Sequence, residues 1–491
     1  MQVNDIYKNT IKQLVIFCIW VMMVRFFGGI SLFAMTIIGV FWAFKGCLGK
    51  ALSMHIMITF MCILNPHLIG KSGMLMSLGL RGGPLLIGLS LAMNELSTRC
   101  RRRLPLNMML AFLLVAGFSS VSGWCPKVSF LKLLNFTVFF LGLWLGTKGL
   151  ECNYKELATL RYLFLSLAVF LVIGSLALKP FPGISTMGAI RQMAEIGDIS
   201  ALNEFANEMI LNGTLTLFCG VTCHSQTLSP LLVCCFAWVL YDLLFIEGRF
   251  RWLHCLILLG AIPMLYMTRS RVALLGLVVS LIFAYVYLPR KMQLVPSMKK
   301  WLGMILVIGG VLLATVVTVM EVKSNAISRW VRKTENLEGD RRSLKEAVTS
   351  SRQGLLDLSM EDFYRNPLLG MGFQVAWYTK GSVEAAKGLI LSSPIEKGVL
   401  PVMVLGETGI VGAFVFALFL ITFYFGCINQ NLFVTISMMG ILLMINMGEA
   451  TYFSPGGAGG IEWMLCVVGG YVLDLSFSVR QEEKIVCYGM I

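Results

Sequence analysis

Apolar runs long enough to cross a bilayer recur from one end of this 491-residue chain to the other. A backbone surrounded by hydrocarbon has to satisfy its own hydrogen bonds, so such runs must fold as helices or close into barrels, and runs of this length are helical. The pattern predicts an all-α fold, a polytopic membrane helix bundle of about 12–14 transmembrane helices. The expected spans are 9–25, 28–44, 51–66, 82–95, 104–122, 129–147, 160–178, 214–234, 252–267, 272–289, 301–320, 399–426, 431–448 and 459–477. Composition agrees, because 57% hydrophobic and 13% charged residues leave too few charges to coat soluble domains.

The first two spans are separated only by Arg25 and the Gly28-Gly29 pair. A tight hairpin or a re-entrant pair is expected there. No small-residue cleavage site follows the first run, so no cleaved signal peptide is expected. The chain divides into transmembrane helices 1–11 (1–320), one long polar loop with short helices (321–398), helices 12–14 (399–477) and a tail (478–491).

The formal net charge of +14 is spread over alternate short turns. Lys45 and Lys50, Arg99 to Arg103, Lys148, Lys155 and Arg161, Arg249 and Arg251, Arg290 to Lys300, and Arg480 and Lys484 all fall on one side of the helix count. By the positive-inside rule that side is cytoplasmic, as are both termini, and the long loop lies outside. The charge is a topology signal, and nucleic acid is not an expected partner. Most of the 14 cysteines lie within apolar spans as small hydrophobes, among them Cys18, Cys62, Cys234, Cys235 and Cys466. His55, His67, His224 and His254 are scattered, with no metal-ligand spacing. No metal is expected.

Two outer segments exceed the length of a turn. The first, Lys179 to Asn212, opens on Pro180, Pro182 and Gly183 and carries a helix-like stretch from Met193 to Met209. The second is the long loop, Glu321 to Lys397, whose basic and acidic residues mix as on a solvated amphipathic surface. Inside it, Arg365-Asn-Pro-Leu-Leu-Gly-Met-Gly-Phe373 combines a proline with two glycines and calls for a tightly turned backbone. Arg352 follows Thr349-Ser-Ser351 and leads a stripe of Leu355, Leu356 and Leu358, the pattern of a helix on the membrane surface with a basic residue near its start.

Two further sites depart from the general pattern. Thr268-Arg269-Ser270-Arg271 puts two arginines on the outer side, against the charge trend. Snorkelling to lipid phosphate is the plainer reading; bidentate binding of a diphosphate is the sharper one. Near the outer end of another span, Gly220 to Leu228 embeds Thr222, His224, Ser225 and Gln226 in apolar surroundings. Such groups are costly in a membrane unless they face protein or a water-filled cavity, and together they suggest a polar cavity.

Residues 365–373 resemble the Pro-Leu-Leu-Gly-x-Gly element of the O-antigen ligase and polymerase superfamily. Leu405-Gly-Glu407-Thr-Gly409-Ile-Val-Gly412 is similar to the Glu-x-Gly-x-x-Gly pattern that opens the helix after that family's long periplasmic loop. Thr268 to Arg271 resembles its Ser-Arg turn, and Gly220 to Leu228 its Gly-x-x-His-x-Asn/Gln-x-Leu segment. The four elements occur in the family's order over the C-terminal half.

The resemblance implies a membrane glycosyltransferase of the bacterial inner membrane that moves glycan from an undecaprenyl-diphosphate carrier to a glycan or lipid acceptor on the periplasmic face. It implies no metal or nucleotide sugar and no other cofactor; a chain-length regulator is a partner left open. The first outer loop has no acidic pair for a divalent ion, so arginines would stabilise the departing diphosphate. Arg271 and Arg352 are the catalytic candidates for that task, and Arg269, Arg365, His224, Gln226 and Lys397 the substrate-binding ones. Many ligases carry His-Asn before the Glu-x-Gly helix, where this chain has Ser392-Ser-Pro394-Ile-Glu396-Lys397. Glu396 is therefore the candidate base, or else an acid at a helix N-terminus, and Glu407 is expected to be a structural hydrogen-bond partner. The rival class, a transporter or lipid-linked glycan flippase, would show two related bundles, and no internal repeat is visible.

Overall fold

A computed structural model describes residues 3–70, 73–96, 104–148, 150, 153–181, 185, 218–243, 252–268, 270, 273, 276–278, 344–375, 398–448 and 450–488. The described chain is an all-α polytopic bundle. Its main helices are α1 (Val3–Phe27), α2 (Gly29–Phe44), α3 (Leu48–Met61), α4 (Met74–Leu96), α5 (Leu104–Ser122), α6 (Pro126–Lys148) and α7 (Tyr154–Val169). They continue with α8 (Ser225–Tyr241), α9 (Trp252–Met267), α10 (Leu344–Arg365), α11 (Leu400–Asn429), α12 (Phe433–Asn446), α13 (Ala458–Trp463) and α14 (Gly469–Tyr488). Among the described residues, seven helical stretches are long and apolar enough to cross a membrane, and α2, α3, α8, α9 and α12 are shorter apolar helices.

The chain forms two compact units. One comprises residues 1–63, 69–167 and 354–491, the other residues 64–68 and 168–353. In the first unit α4 packs against α2 and α6, and α11 runs along α5. Small residues allow the closest crossings: a Cβ on Gly142 of α6 would come within 2.5 Å of Gly88 on α4. The break between α1 and α2 falls at Gly28, whose φ of +58° suits a residue without a Cβ. Ser31 then donates to the carbonyl of Met23 at 2.9 Å, so the chain bends sharply between the two helices.

The first unit has two chemically distinct ends. At one, Gly49 N–H donates to Glu156 at 2.8 Å, Gly426 lies against Pro105, and Lys148 Nζ reaches Gln430 Oε1 at 3.2 Å. These contacts gather the turns that carry Lys45, Lys50, Lys148 and Lys155. At the other end, Trp124 N–H donates to Met371 O at 2.9 Å and Gly460 lies against Thr59. The described portion of the long loop thus joins the end opposite the basic turns.

In the second unit the sequence expectation needs a correction. The span expected at 214–234 begins as helix only at Ser225, and residues 218–224 are irregular. Gly220 takes φ of +55°, and the segment finds partners outside a helix: Asn65 N–H donates to Val221 O at 2.8 Å, and Ser175 Oγ accepts from Val221 N at 3.2 Å. Irregular backbone at this depth is tolerable because protein groups replace the lost helical bonds. In the same unit Asp242 and His254, both fully buried, meet at 2.8 Å and tie α8 to α9. The whole of the expected span 301–320, and most of the span 272–289 and of the segment Lys179 to Asn212, lie outside the described residues.

Candidate functional site

The glycine-rich stretch and the start of α11 form one clasp. α10 ends at Arg365, where Asn366 O accepts from Gly370 N at 2.8 Å and the chain turns sharply. It then lies across α11 at the point where that helix is broken. Gly409 has φ of +65° and ψ of −169°, a conformation essentially confined to glycine. A break of this kind frees helical donors and acceptors, and the loop supplies their partners. Met371 N donates to Gly406 O at 2.8 Å and Gly372 N to Glu407 O at 3.0 Å, while Ile410 N donates to Pro367 O at 2.9 Å. Pro367 cannot donate but keeps its carbonyl, so it serves here as an acceptor only.

Close approach requires the glycines. A Cβ on Gly370 would fall 2.4 Å from the carbonyl carbon of Glu407, and one on Gly409 2.2 Å from Leu368 O. α5 holds the start of α11, and α6 holds the loop. Ser119 Oγ donates to Glu407 O at 2.5 Å, Ser129 Oγ donates to Phe373 O at 2.9 Å, and Lys132 Nζ donates to Gln374 O at 3.2 Å. Phe373 is fully buried with its ring 5.9 Å from that of Phe136 and 5.2 Å from that of Phe453.

Beyond the loop lies a buried polar network in the connection between α12 and α13. Gln374 Nε2 donates to Phe453 O, Trp463 Nε1 donates to Tyr452 O at 2.7 Å, and Thr451 Oγ1 donates to Glu462 Oε2 at 2.8 Å. Asn446 Oδ1 accepts from Tyr452 N at 2.6 Å. Burial pushes the Tyr452 phenol well above its ordinary pKa, so it stays protonated. Immediately after Trp463 the helix widens into a π turn, Met464–Val468, a geometry frequent at functional sites.

The proposed site residues fall as follows. Arg365 is exposed and pairs with Glu361 at 2.8 Å one helical turn back. Arg352 lies on α10, well inside a helix that begins at Leu344, so it is not near the helix start as the Thr-Ser-Ser sequence suggested. Among the described side chains of α10, Ser359 and Asp362 are the fully buried ones, pressed on Gly406, where the missing side chain lets the two helices meet. His224 is the N-cap of α8: its Nδ1 accepts from Gln226 N at 3.0 Å, which places the proton of the neutral ring on Nε2. Thr222 turns its hydroxyl onto the carbonyls of Cys219 and His224, at 2.8 and 2.9 Å, so it serves the local turn. Arg269, Arg271, Glu396 and Lys397 lie outside the described residues.

Glu407 is fully buried, and its main-chain carbonyl is the shared acceptor of Ser119 and Gly372. Lys132, Gln374 and Glu462 were not singled out from sequence. The signal was there for two of them, since a lysine and a glutamate within apolar spans are expected to face protein. No protein-family model, curated protein or solved structure matches the chain.

Proposed function

We propose that the chain is a membrane glycosyltransferase of surface-polysaccharide biosynthesis in the bacterial inner membrane, acting on undecaprenyl-diphosphate-linked glycan at the periplasmic face. Polymerisation is favoured over ligation. The observation that supports this reading is the clasp: the two segments that resemble the family's loop and helix elements bond directly to each other, through Met371, Gly372 and Ile410, at the end away from the basic turns. A chance match of two short motifs would not require their backbones to interlock.

In the proposed reaction a hydroxyl of the acceptor glycan attacks the anomeric carbon of the donor. Glu396 takes the hydroxyl proton as the new glycosidic bond forms. The bond from the anomeric carbon to the phosphate oxygen breaks, and undecaprenyl diphosphate leaves with the electron pair, its charge stabilised by Arg271 and Arg352. Arg269, Arg365 and Lys397 supply further positive charge, and His224 and Gln226 polar contacts to the sugar.

Replacement of Arg271 and Arg352 by alanine, each in a strain lacking the native gene, tests the proposal through the amount and length of surface polymer. Loss of polymer with accumulated single lipid-linked repeats is expected. Accumulated full-length lipid-linked polymer would instead identify a ligase. Unchanged polymer in both variants, at matched protein levels, would rule the reading out.

A further inference from the structure

The sequence sets Arg81 just outside a span expected at 82–95, but α4 begins at Met74, so the arginine stands about two turns inside a stretch apolar enough to cross a membrane. α4 runs parallel to α6, since Gly88 meets Gly142 and Leu91 lies beside Gly146. α6 starts close after Trp124, which bonds to Met371, so Arg81 belongs to the end that holds the clasp, away from the basic turns. A guanidinium does not give up its proton in a protein, so a charge at this depth has to be matched.

Among the described residues no carboxylate is placed to match it. The chain has no aspartate or glutamate between Asp5 and Glu95 or between Glu95 and Glu151. α2, α3 and α6, which pack on α4, therefore carry none. Glu95 lies about 20 Å further along α4, toward the opposite end. Among the described residues no hydrogen bond, ion pair or ring contact reaches the Arg81 side chain.

Met74, Leu78, Arg81, Leu85 and Leu89 recur at spacings of three and four residues and form one stripe. Met74, Leu78 and Leu89 are exposed and Arg81 is half-buried, so the stripe opens on lipid. A second polar group shares the seam. Asn135 precedes Gly142 by the same interval as Arg81 precedes Gly88, so both lie on the face of the glycine contact, about 10 Å along the helices from it. The Asn135 amide is half-buried and has no hydrogen bond among the described residues, with Leu131 and Leu134 exposed in the same turn.

We propose that this seam of α4 and α6 binds the phosphodiester of an anionic phospholipid from the leaflet at the clasp end, with Arg81 on the phosphate oxygens and Asn135 donating to them. Helical side chains lean toward the N-terminus, so the guanidinium reaches up toward the headgroups while its stem stays among the leucines. Its planar fork suits a phosphate, and a headgroup without an amine leaves the phosphate charge unshared. The seam has no residue in common with the clasp, so the proposal is independent of the glycosyltransferase reading.

The test uses the full chain in phosphatidylcholine nanodiscs titrated with phosphatidylglycerol, with retained lipid counted by native mass spectrometry. Arg81→Gln is expected to weaken phosphatidylglycerol retention about fivefold, as for the loss of one cation–headgroup contact. Asn135→Leu is expected to weaken it about threefold, as for one neutral hydrogen bond. Equal retention by wild type and Arg81→Gln would overturn the proposal; should Arg81→Gln fail to fold, equal retention by wild type and Asn135→Leu would do so. Displacement of the lipid by millimolar inorganic phosphate would overturn it in favour of a soluble anion. Displacement by an equimolar amount of undecaprenyl diphosphate would overturn it in favour of the glycan carrier.

Discussion

Gly370 rests on the main chain of Glu407, so close that a Cβ would stand 2.4 Å from the glutamate's carbonyl carbon, and its φ of +72° favours glycine for a second reason. Gly370→Ala adds both left-handed strain and overpacking, together about 2–4 kcal/mol. A lower thermal unfolding midpoint in detergent, with surface polymer lost in proportion, is the expected outcome. A midpoint equal to wild type would show that the loop does not bear on α11.

The break in α11 makes the same demand from the other partner. Gly409→Ala would force a residue with a Cβ into a conformation that costs about 1–3 kcal/mol for any residue but glycine, and press it on Leu368 O. Gly440 of α12 has open space where a Cβ would go, so Gly440→Ala serves as the control and is expected to be neutral or slightly stabilising. Equal stability of the two variants would argue against the break.

Lys132 is buried in α6 and donates to the carbonyl of Gln374. Lys132→Met keeps much of the side-chain volume but removes that donor, at a cost of about 1–3 kcal/mol. Because Gln374 is itself held in a left-handed conformation, with φ of 55°, the loss is expected to loosen the loop first. Faster hydrogen exchange at residues 371–375 than in α12 would show it; uniform exchange would count against a local role.

Asp474 caps α12 from another helix, accepting from two main-chain amides and the Thr435 hydroxyl. Asp474→Ala is expected to cost about 1–2 kcal/mol, and Asp474→Asn less, since one acceptor oxygen remains. The comparison is read from unfolding midpoints of the two purified variants, and an Asn variant weaker than the Ala one would refute the capping role.

Much of the architecture is legible in the sequence because a bilayer leaves the backbone so few choices. α5 is expected at 104–122 and found there, and α9 at 252–267 likewise, since apolar length alone sets both. Residues 218–224 are the instructive failure. They lie within an apolar run, yet Gly220 and the partners offered by Asn65 and Ser175 unwind them, and those partners are distant in sequence. The clasp is half legible: Pro367, Gly370 and Gly372 announce a turn, but nothing local says that its hydrogen bonds end on Gly406 and Glu407. Lys132 and Glu462 announce burial without naming their companions.

The clasp also fixes both margins of the stretch from 376 to 397, because Gly372 on one side and Glu407 on the other are joined by a hydrogen bond. Whatever the sequence between those margins, its two ends are held at one separation. A change that opens the clasp is therefore felt at both ends of the stretch that carries Glu396 and Lys397 at once, and no repair confined to one end restores it.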